Sequence, residues 1–161
     1  MASASDRLVE LGLELPAVAA PLAAYVPALR VGDLIYTSGQ LPTAFGQLLA
    51  VGKVGAEVSA ETGSRCAQKA VLNALAAASE EAGGIDEIER IVRVVVFVAS
   101  APDFTGQPMV ANGASELLGS IFGGGGRHVR SAVGAAVLPL DAPVEVELVV
   151  QVRRRPTVVP A

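Results

Sequence analysis

Near the C-terminus, an arginine and two carboxylates occupy segments that are otherwise almost entirely apolar. The stretch RSAVGAAVLPLDAPVEVELVVQV, residues 130–152, is typical of two strands joined by a proline turn. Arg130 opens the first strand, and Glu145 and Glu147 stand among the valines of the second. A planar guanidinium can bind a carboxylate through two hydrogen bonds, and a carboxylate can serve as a general base. These residue types raise the question of whether they share one site.

Alternation of side chains predicts which face of the sheet each charge occupies, because successive strand residues point to opposite faces. Glu145 and Glu147 alternate with an unbroken apolar set, which we expect to pack against helices. That set is Val144, Val146, Leu148, Val150 and Val152. The two glutamates, with Val149 and Gln151, then lie on the face that the helices leave free.

The same rule assigns a face to Arg130. The bulky side chains of strand 129–137 are Val129, Val133 and Val137, and we expect these valines to face the helices. Arg130, together with Ala132 and Gly134, would then share the helix-free face with Glu145. Small residues beside the arginine would leave room for a ligand.

A simple ion pair between Arg130 and Glu145 is the structural alternative. If the two strands form a hairpin around 138–143, however, Arg130 lies about 20 Å from Glu145 along the ladder. A direct contact would need another chain, or strands that are not neighbours. We therefore expect the helix-free face to be an oligomer face, with the charges lining a cleft between subunits.

The elements that must position these residues follow from hydrophobic periodicity and turn residues. The pattern predicts a single α+β domain with one sheet and both main helices on one face. The predicted elements are a short helix at 5–13, a hairpin at 26–40 turning at Gly32-Asp33, a helix from Ser59 to 82, a strand at 89–99 buried on both faces, a helix near Pro108 capped by Asp103 or Thr105, a flexible tetraglycine at 123–126, and strands at 129–137 and 143–153.

Composition narrows the class of protein. The 161 residues are 52% hydrophobic and 17% charged, with a net charge of −4 and mean hydropathy +0.51. Sparse aromatics and the lack of a basic tract disfavour a nucleic-acid binder, and no apolar run is long enough to predict a membrane span. Cys66 is the single cysteine and His128 the single histidine, so we predict no disulfide within the chain, no metal site and no cofactor. We expect a cytoplasmic protein, with Cys66 buried and His128 exposed.

The quoted stretch also resembles the Rid family of reactive-intermediate deaminases, also called YjgF-like. The family's signature is an arginine opening a strand, an L-P turn and a V/I-E-I/V-E strand, which here are residues 130–133, 138–139 and 144–147. In the N-terminal half, AYVPALRVGDLIYTSGQLP resembles the family's tyrosine, its G-[DN] strand and its T-S-G-Q-[IL]-P. The resemblance runs from about Tyr25 to Val152.

The resemblance implies a chorismate-mutase-like fold with two helices on one face of a mixed sheet. It further implies a homotrimer whose sheets face a central barrel, with active sites in clefts between subunits. On this basis we divide the chain into an N-terminal extension at 1–20, a YjgF-like domain at 21–155 and a C-terminal tail at 156–161.

The resemblance also implies an activity, which is hydrolysis of 2-imino or enamino acids to 2-oxo acids and ammonia. By position, Arg130 matches the family's essential arginine and Glu145 the glutamate that orients or activates water. Tyr25 matches a cleft tyrosine able to donate a proton. The substrate would also meet Ser38 and Gly39, the helix asparagine Asn112, and the backbone at Ala132.

Departures from the family's pattern leave other functions open. Active compact members often have cysteine where this chain has Ala132, and Gly134 replaces a commonly larger residue, which would enlarge the cleft. A non-catalytic trimer that binds small carboxylates is the main alternative. An endoribonuclease or translation inhibitor of the L-PSP type is disfavoured by the acidic pI, and a chorismate mutase by the single arginine of the motif.

Overall fold

The computed structural model describes residues 2–18 and 24–153. Within these ranges the helices and strands follow the predicted order, and short 3-10 turns join several of them. In chain order they are α1 (Ala4–Glu10), β1 (Ala28–Val31), β2 (Leu34–Thr37), β3 (Thr43–Ala44), β4 (Gln47–Leu48), α2 (Ala60–Ala82), β5 (Ile88–Ala99), α3 (Gln107–Phe122), β6 (Val129–Ala135) and β7 (Val144–Val152). The last predicted segment, the tail at 156–161, lies outside the described residues.

One five-stranded sheet organises the domain, in the order β1-β2-β7-β5-β6. Its pairs are antiparallel except β5 with β6, which are parallel. The long strand β5 therefore lies between β6 and β7, and the hairpin considered for those two strands does not form. Because β7 is central and β6 is at the edge, their side chains have very different surroundings.

Helix α2 begins and ends where its sequence predicts. The Ser59 hydroxyl accepts a hydrogen bond from the Thr62 amide, and Gly83 closes the helix with a left-handed φ of 88°. Cys66 is fully buried within it, as expected. Helix α3 differs at its start, since Gly106 occupies the N-cap without a side-chain bond and neither Asp103 nor Thr105 caps it.

The core lies between the sheet and the helices α2 and α3. Every second residue of β7, from Val144 to Val152, is at most 1% exposed and belongs to the main core cluster, as the alternation predicted. The two helices approach so closely that a side chain on Gly113 would overlap the backbone at Ser64. The fold is therefore the predicted α+β arrangement, with both main helices on one face of a mixed sheet.

The second half of the tetraglycine is packed against neighbouring backbone, whereas we predicted a flexible segment throughout. Residues Gly123–Gly126 form a 3-10 turn that follows α3 directly. A Cβ on Gly125 would lie 2.7 Å from the Glu89 carbonyl oxygen, and one on Gly126 would lie 2.5 Å from that of Leu118. The absence of side chains is thus what lets the chain turn tightly from α3 into β6.

The opposite face of the sheet carries no helix and exposes large apolar side chains. Leu29, Val31, Tyr36, Val129 and Val133 are each between 44% and 63% exposed, and only one face of β5 is fully buried. Exposed apolar side chains gathered on one face of a sheet are characteristic of a subunit contact. No helix in the described ranges has the length and apolar character needed to cross a membrane.

Candidate active site

Arg130 lies on the helix-covered face of the sheet, so its predicted face was wrong. Its β5 partner in register is Val94, which is completely buried beneath the helices, and residues paired in register share a face. The prediction failed because it assumed that bulky side chains mark the core. In the edge strand β6 the valines Val129 and Val133 instead face the helix-free side, which is itself apolar.

The Arg130 guanidinium is held against helix α3 by neutral acceptors. Its Nη1 donates to Asn112 Oδ1 at 2.9 Å and to Ser115 Oγ at 3.0 Å, and its Nη2 makes a longer contact, 3.4 Å, with the Pro108 carbonyl. Among the described residues, no carboxylate pairs with this cation. Asn112, predicted as a site residue, therefore lies beside the arginine, and the guanidinium retains its positive charge for a ligand.

Ser115 and His128 extend this network, and the sequence indicated neither as part of it. His128 is half-buried, not exposed as expected; its Nε2 lies 2.9 Å from Ser115 Oγ and its Nδ1 lies 2.6 Å from the Gly126 carbonyl. A signal for Ser115 was available, because residues three apart share a helix face and Asn112 is its i−3 neighbour. His128 is two residues before Arg130, just ahead of β6, and extended backbone there puts both side chains on one side.

Glu145 lies on the helix-free face, in register with Phe97 of β5. Burial, and secondarily the nearby charge of Glu147, raise the pKa of the Glu145 carboxyl above its ordinary value. The absence of a side chain on Gly39 makes room for this carboxyl group, since a Cβ there would overlap it. Glu145 and Gly39 are therefore brought together, and a raised pKa suits a general base near neutral pH.

Tyr25 and Ser38 both lie near Gly39, Tyr25 beside the same cavity and Ser38 next to it in the chain, but they differ in availability. Tyr25 is 46% exposed and, with Gly39, lines a cavity of about 830 Å³. The Ser38 hydroxyl donates to the Val26 carbonyl at 2.7 Å, so it holds the chain beside Tyr25 in place. What remains for a ligand at Ser38-Gly39 is chiefly backbone.

Ala132 and Gly134 share the helix-covered face with Arg130, in register with buried Val96 and Val98. Ala132 packs against the core. A Cβ on Gly134 would lie 3.1 Å from Gln107 Nε2 and 3.3 Å from Ser100 Oγ. The space that we expected Gly134 to add to a cleft is therefore taken up by side chains of the same chain.

The predicted residues thus form two groups. Arg130 and Asn112 lie at the edge strand under α3, whereas Glu145 lies on the helix-free face beside Gly39, and Tyr25 shares a cavity with Gly39. Two strand spacings and three residues of rise separate Arg130 from Glu145, roughly 14 Å between Cα atoms. Within one chain these groups do not meet.

With this fold and these residues in place, comparison with known proteins defines the class. Residues 5–152 match the model of the family described as "YjgF/chorismate_mutase-like, putative endoribonuclease". The chain belongs to this family. The resemblance first seen in the motifs around Arg130 and Glu145 is confirmed at the level of the family.

Individual relatives support the assignment over nearly the whole chain. Protein TCP17 of Trypanosoma cruzi is 41% identical over 146 residues, which cover 90% of this chain and 91% of that protein. The crystal structure of Atu1372 from Agrobacterium tumefaciens, a protein of unknown function, is similar with a TM-score of 0.87 at 40% identity, covering 93% and 92% of the two chains. The YjgF gene product of Escherichia coli is similar with a TM-score of 0.62 at 29% identity, covering 86% and 94%.

Proposed function

We propose that this protein is a Rid-type deaminase that hydrolyses 2-imino and enamino acids to 2-oxo acids and ammonia. The observation that carries the proposal is the pair of complementary groups described above. Arg130 is a cation held only by neutral acceptors, and Glu145 is a half-buried carboxyl with another carboxylate nearby. Within residues 2–18 and 24–153 neither group is paired with an opposite charge, and each would gain one if two copies of the chain met.

We therefore place each reaction site between subunits, with Arg130 from one copy and Glu145, Gly39 and Tyr25 from its neighbour. A homotrimer built through the helix-free faces, as the family resemblance implies, would bury the exposed valines of β6. Burying such surface contributes roughly 25 cal/mol per Å². Closure of a cyclic assembly requires a head-to-tail contact, which joins different surfaces of neighbouring copies.

The chemistry needs only groups that the chain supplies. Arg130 binds the carboxylate of the 2-imino acid. Glu145 takes a proton from a water molecule while the oxygen of that water bonds to the imine carbon. The substrate reacts as its protonated imine, so the C=N π electrons move to a nitrogen that already carries two hydrogens and a neutral carbinolamine forms. Tyr25 then donates a proton to that nitrogen, the C–N bond breaks, and ammonia leaves as the carbonyl forms. The hydroxyl proton of the carbinolamine is released, and water-mediated exchange with Glu145 restores the tyrosine.

A mixing experiment tests both the reaction and the shared site. Arg130→Ala and Glu145→Gln are purified separately, mixed in equal amounts under mild denaturant and reassembled. Imine is generated in situ with an amino-acid oxidase, and ammonia or semicarbazone formation is followed. If each cleft takes Arg130 and Glu145 from different copies, random mixing leaves about one quarter of the clefts intact, and activity returns to about one quarter of the wild-type rate.

The other outcomes are equally specific. No recovery on mixing, with an active wild type, would show that one chain supplies both residues and would overturn the shared site. A wild type that binds 2-oxo acids without accelerating imine hydrolysis would favour the non-catalytic carboxylate-binding alternative. RNA cleavage by a nuclease-free preparation, abolished by Arg130→Ala, would favour the endoribonuclease named in the family's description.

A further inference from the structure

We propose that Ser115 and His128 are positioning residues for Arg130, which set the direction in which its guanidinium meets a substrate carboxylate. This inference rests on the proposed role of Arg130 as the carboxylate anchor. It goes beyond that role because neither residue belongs to the motifs that identify the family.

The hydrogen bonds of His128 fix its proton. A carbonyl oxygen can only accept, so the 2.6 Å contact with Gly126 requires Nδ1 of His128 to donate. In the neutral ring Nε2 is then an acceptor, and the Ser115 hydroxyl, 2.9 Å away, donates to it. With its proton committed, Ser115 Oγ presents lone pairs to Arg130 Nη1 at 3.0 Å. The chain of donors runs in one direction, from the guanidinium to the ring and on to the backbone.

The turn that supplies Gly126 is rigid for a reason given by its packing. Gly126 is buried at the end of the 3-10 turn, and a side chain there would collide with the Leu118 carbonyl and the backbone of Gly119. The accepting carbonyl is therefore fixed relative to α3, the helix that also carries Ser115. Both ends of the relay are anchored to the same helix, so the relay holds Arg130 in one orientation.

The consequence for binding follows from the number of N–H groups. Both hydrogens of Nη1 are used, one by Asn112 and one by Ser115. Of the five guanidinium hydrogens, the Nε hydrogen and one on Nη2 have no partner among the described residues. Nε–H and one Nη2 hydrogen lie along one edge of the planar group, and we place the substrate carboxylate on that edge. The hydrogen bonds from Nη1 to Asn112 and Ser115 thus fix the orientation of the guanidinium plane and leave its Nε–Nη2 edge for the substrate carboxylate.

The test measures carboxylate binding separately from turnover. Dissociation constants for a 2-oxo acid such as 2-oxobutanoate are measured by calorimetry for the wild type, Arg130→Ala, Ser115→Ala and His128→Ala. Ser120→Ala is the matched control, because this serine lies on the same helix but bonds only the Glu116 carbonyl. Ser115→Thr and His128→Gln keep a hydroxyl and an acceptor, and serve as rescue variants.

We expect binding to weaken about tenfold in Ser115→Ala and about threefold to tenfold in His128→Ala, which is the range for losing one ordinary hydrogen bond. The rescue variants should recover most of the affinity, and Ser120→Ala should match the wild type. In imine hydrolysis the same variants should raise KM more than they lower kcat. A second readout needs no ligand: the Arg130 side-chain N–H signals in ¹H–¹⁵N spectra should broaden in Ser115→Ala and stay sharp in Ser120→Ala.

Unchanged affinity and unchanged Arg130 signals in Ser115→Ala and His128→Ala would overturn the inference, as would equal losses in Ser120→Ala. A wild type that binds no 2-oxo acid would overturn it too. If binding follows the predicted order while no variant hydrolyses imines, the positioning role stands and the proposed deaminase activity fails.

Discussion

The two faces of the sheet present opposite solutions to placing a charge. On the helix-covered face, Arg130 is surrounded by the neutral oxygens of Asn112, Ser115 and Pro108, which fix it without cancelling its charge. On the helix-free face, Glu145 lies near Glu147 and pairs with no cation in the described part of the chain, and both burial and this neighbour raise its pKa. The Arg130 guanidinium is thus held in one orientation, whereas the surroundings of Glu145 disfavour its ionised form.

This difference indicates what each face is adapted for. A held cation is suited to recognition of an anion, since the cost of ordering its side chain has already been met. A carboxyl with a raised pKa is suited to taking up a proton. For the proposed reaction neither face is sufficient alone. Burial of the apolar surface beside Glu145 would favour association with a second chain, and that chain would supply the missing charge.

Of the substitutions that probe the two faces, we expect removal of the Arg130 side chain to have the largest effect. Arg130→Ala should lower kcat/KM for imine hydrolysis by at least about a hundredfold, because a charge-assisted bidentate contact is lost. The side chain is only partly buried, so the thermal midpoint should hardly change. Arg65→Ala is the control, since Arg65 is exposed on α2 and bonds only Thr62. Full activity in Arg130→Ala would refute the anchor role.

A second variant asks whether the helix-free face joins subunits. Val133→Glu places a charge on that face without touching Arg130 or Glu145, and we expect it to reduce the solution mass measured by light scattering to that of one 16.3 kDa chain. Activity should fall with the mass, by about tenfold or more, because a buried unpaired charge is costly at an interface. Val9→Glu, on an exposed position of α1, should leave both unchanged. An assembled Val133→Glu protein would place the contact elsewhere.

The sequence predicted β7 correctly and β6 wrongly, and the reason is physical. β7 is central, so one face of it must be buried and its valines identify that face. β6 is an edge strand, and the apolar side chains of Val129 and Val133 lie where a single chain exposes them. Alternation assigns faces reliably only when the apolar face of a strand is also the core face, and an oligomer surface breaks that condition.

The residues of the site were predictable to different degrees. The family's motifs identified Arg130, Glu145 and Asn112, and the structure brings the arginine and asparagine together. The His128–Ser115 contact joins residues 13 positions apart through the tetraglycine turn. Its geometry depends on how tightly glycines pack against neighbouring backbone, which composition does not reveal.

Gly39 offers a smaller perturbation confined to the carboxylate half. Gly39→Ala forces its new Cβ against the Glu145 carboxyl group, so the glutamate must rotate away. We expect kcat to fall about tenfold with little change in 2-oxo acid affinity, as a misplaced general base would give. Gly119→Ala, which meets open space on α3, should be as active as the wild type. A larger loss of affinity than of kcat would assign Gly39 to binding instead.

The smallest expected effect is a displacement of the pH profile by Glu147→Gln. The charge of Glu147 contributes to the raised pKa of Glu145, although burial contributes more. Removing that charge lowers the Glu145 pKa, so the base stays ionised to lower pH and the acid limb of kcat moves in that direction.

The proton held more tightly in the folded state also means that stability falls as pH rises from the ordinary glutamate pKa through the raised one. Glu147→Gln should therefore lose less stability than the wild type over that pH window, as measured by thermal unfolding at several pH values. The control Glu81→Gln, on the exposed surface of α2, should lose as much stability as the wild type. An acid limb that moves to higher pH would show that Glu145 is not the titrating base.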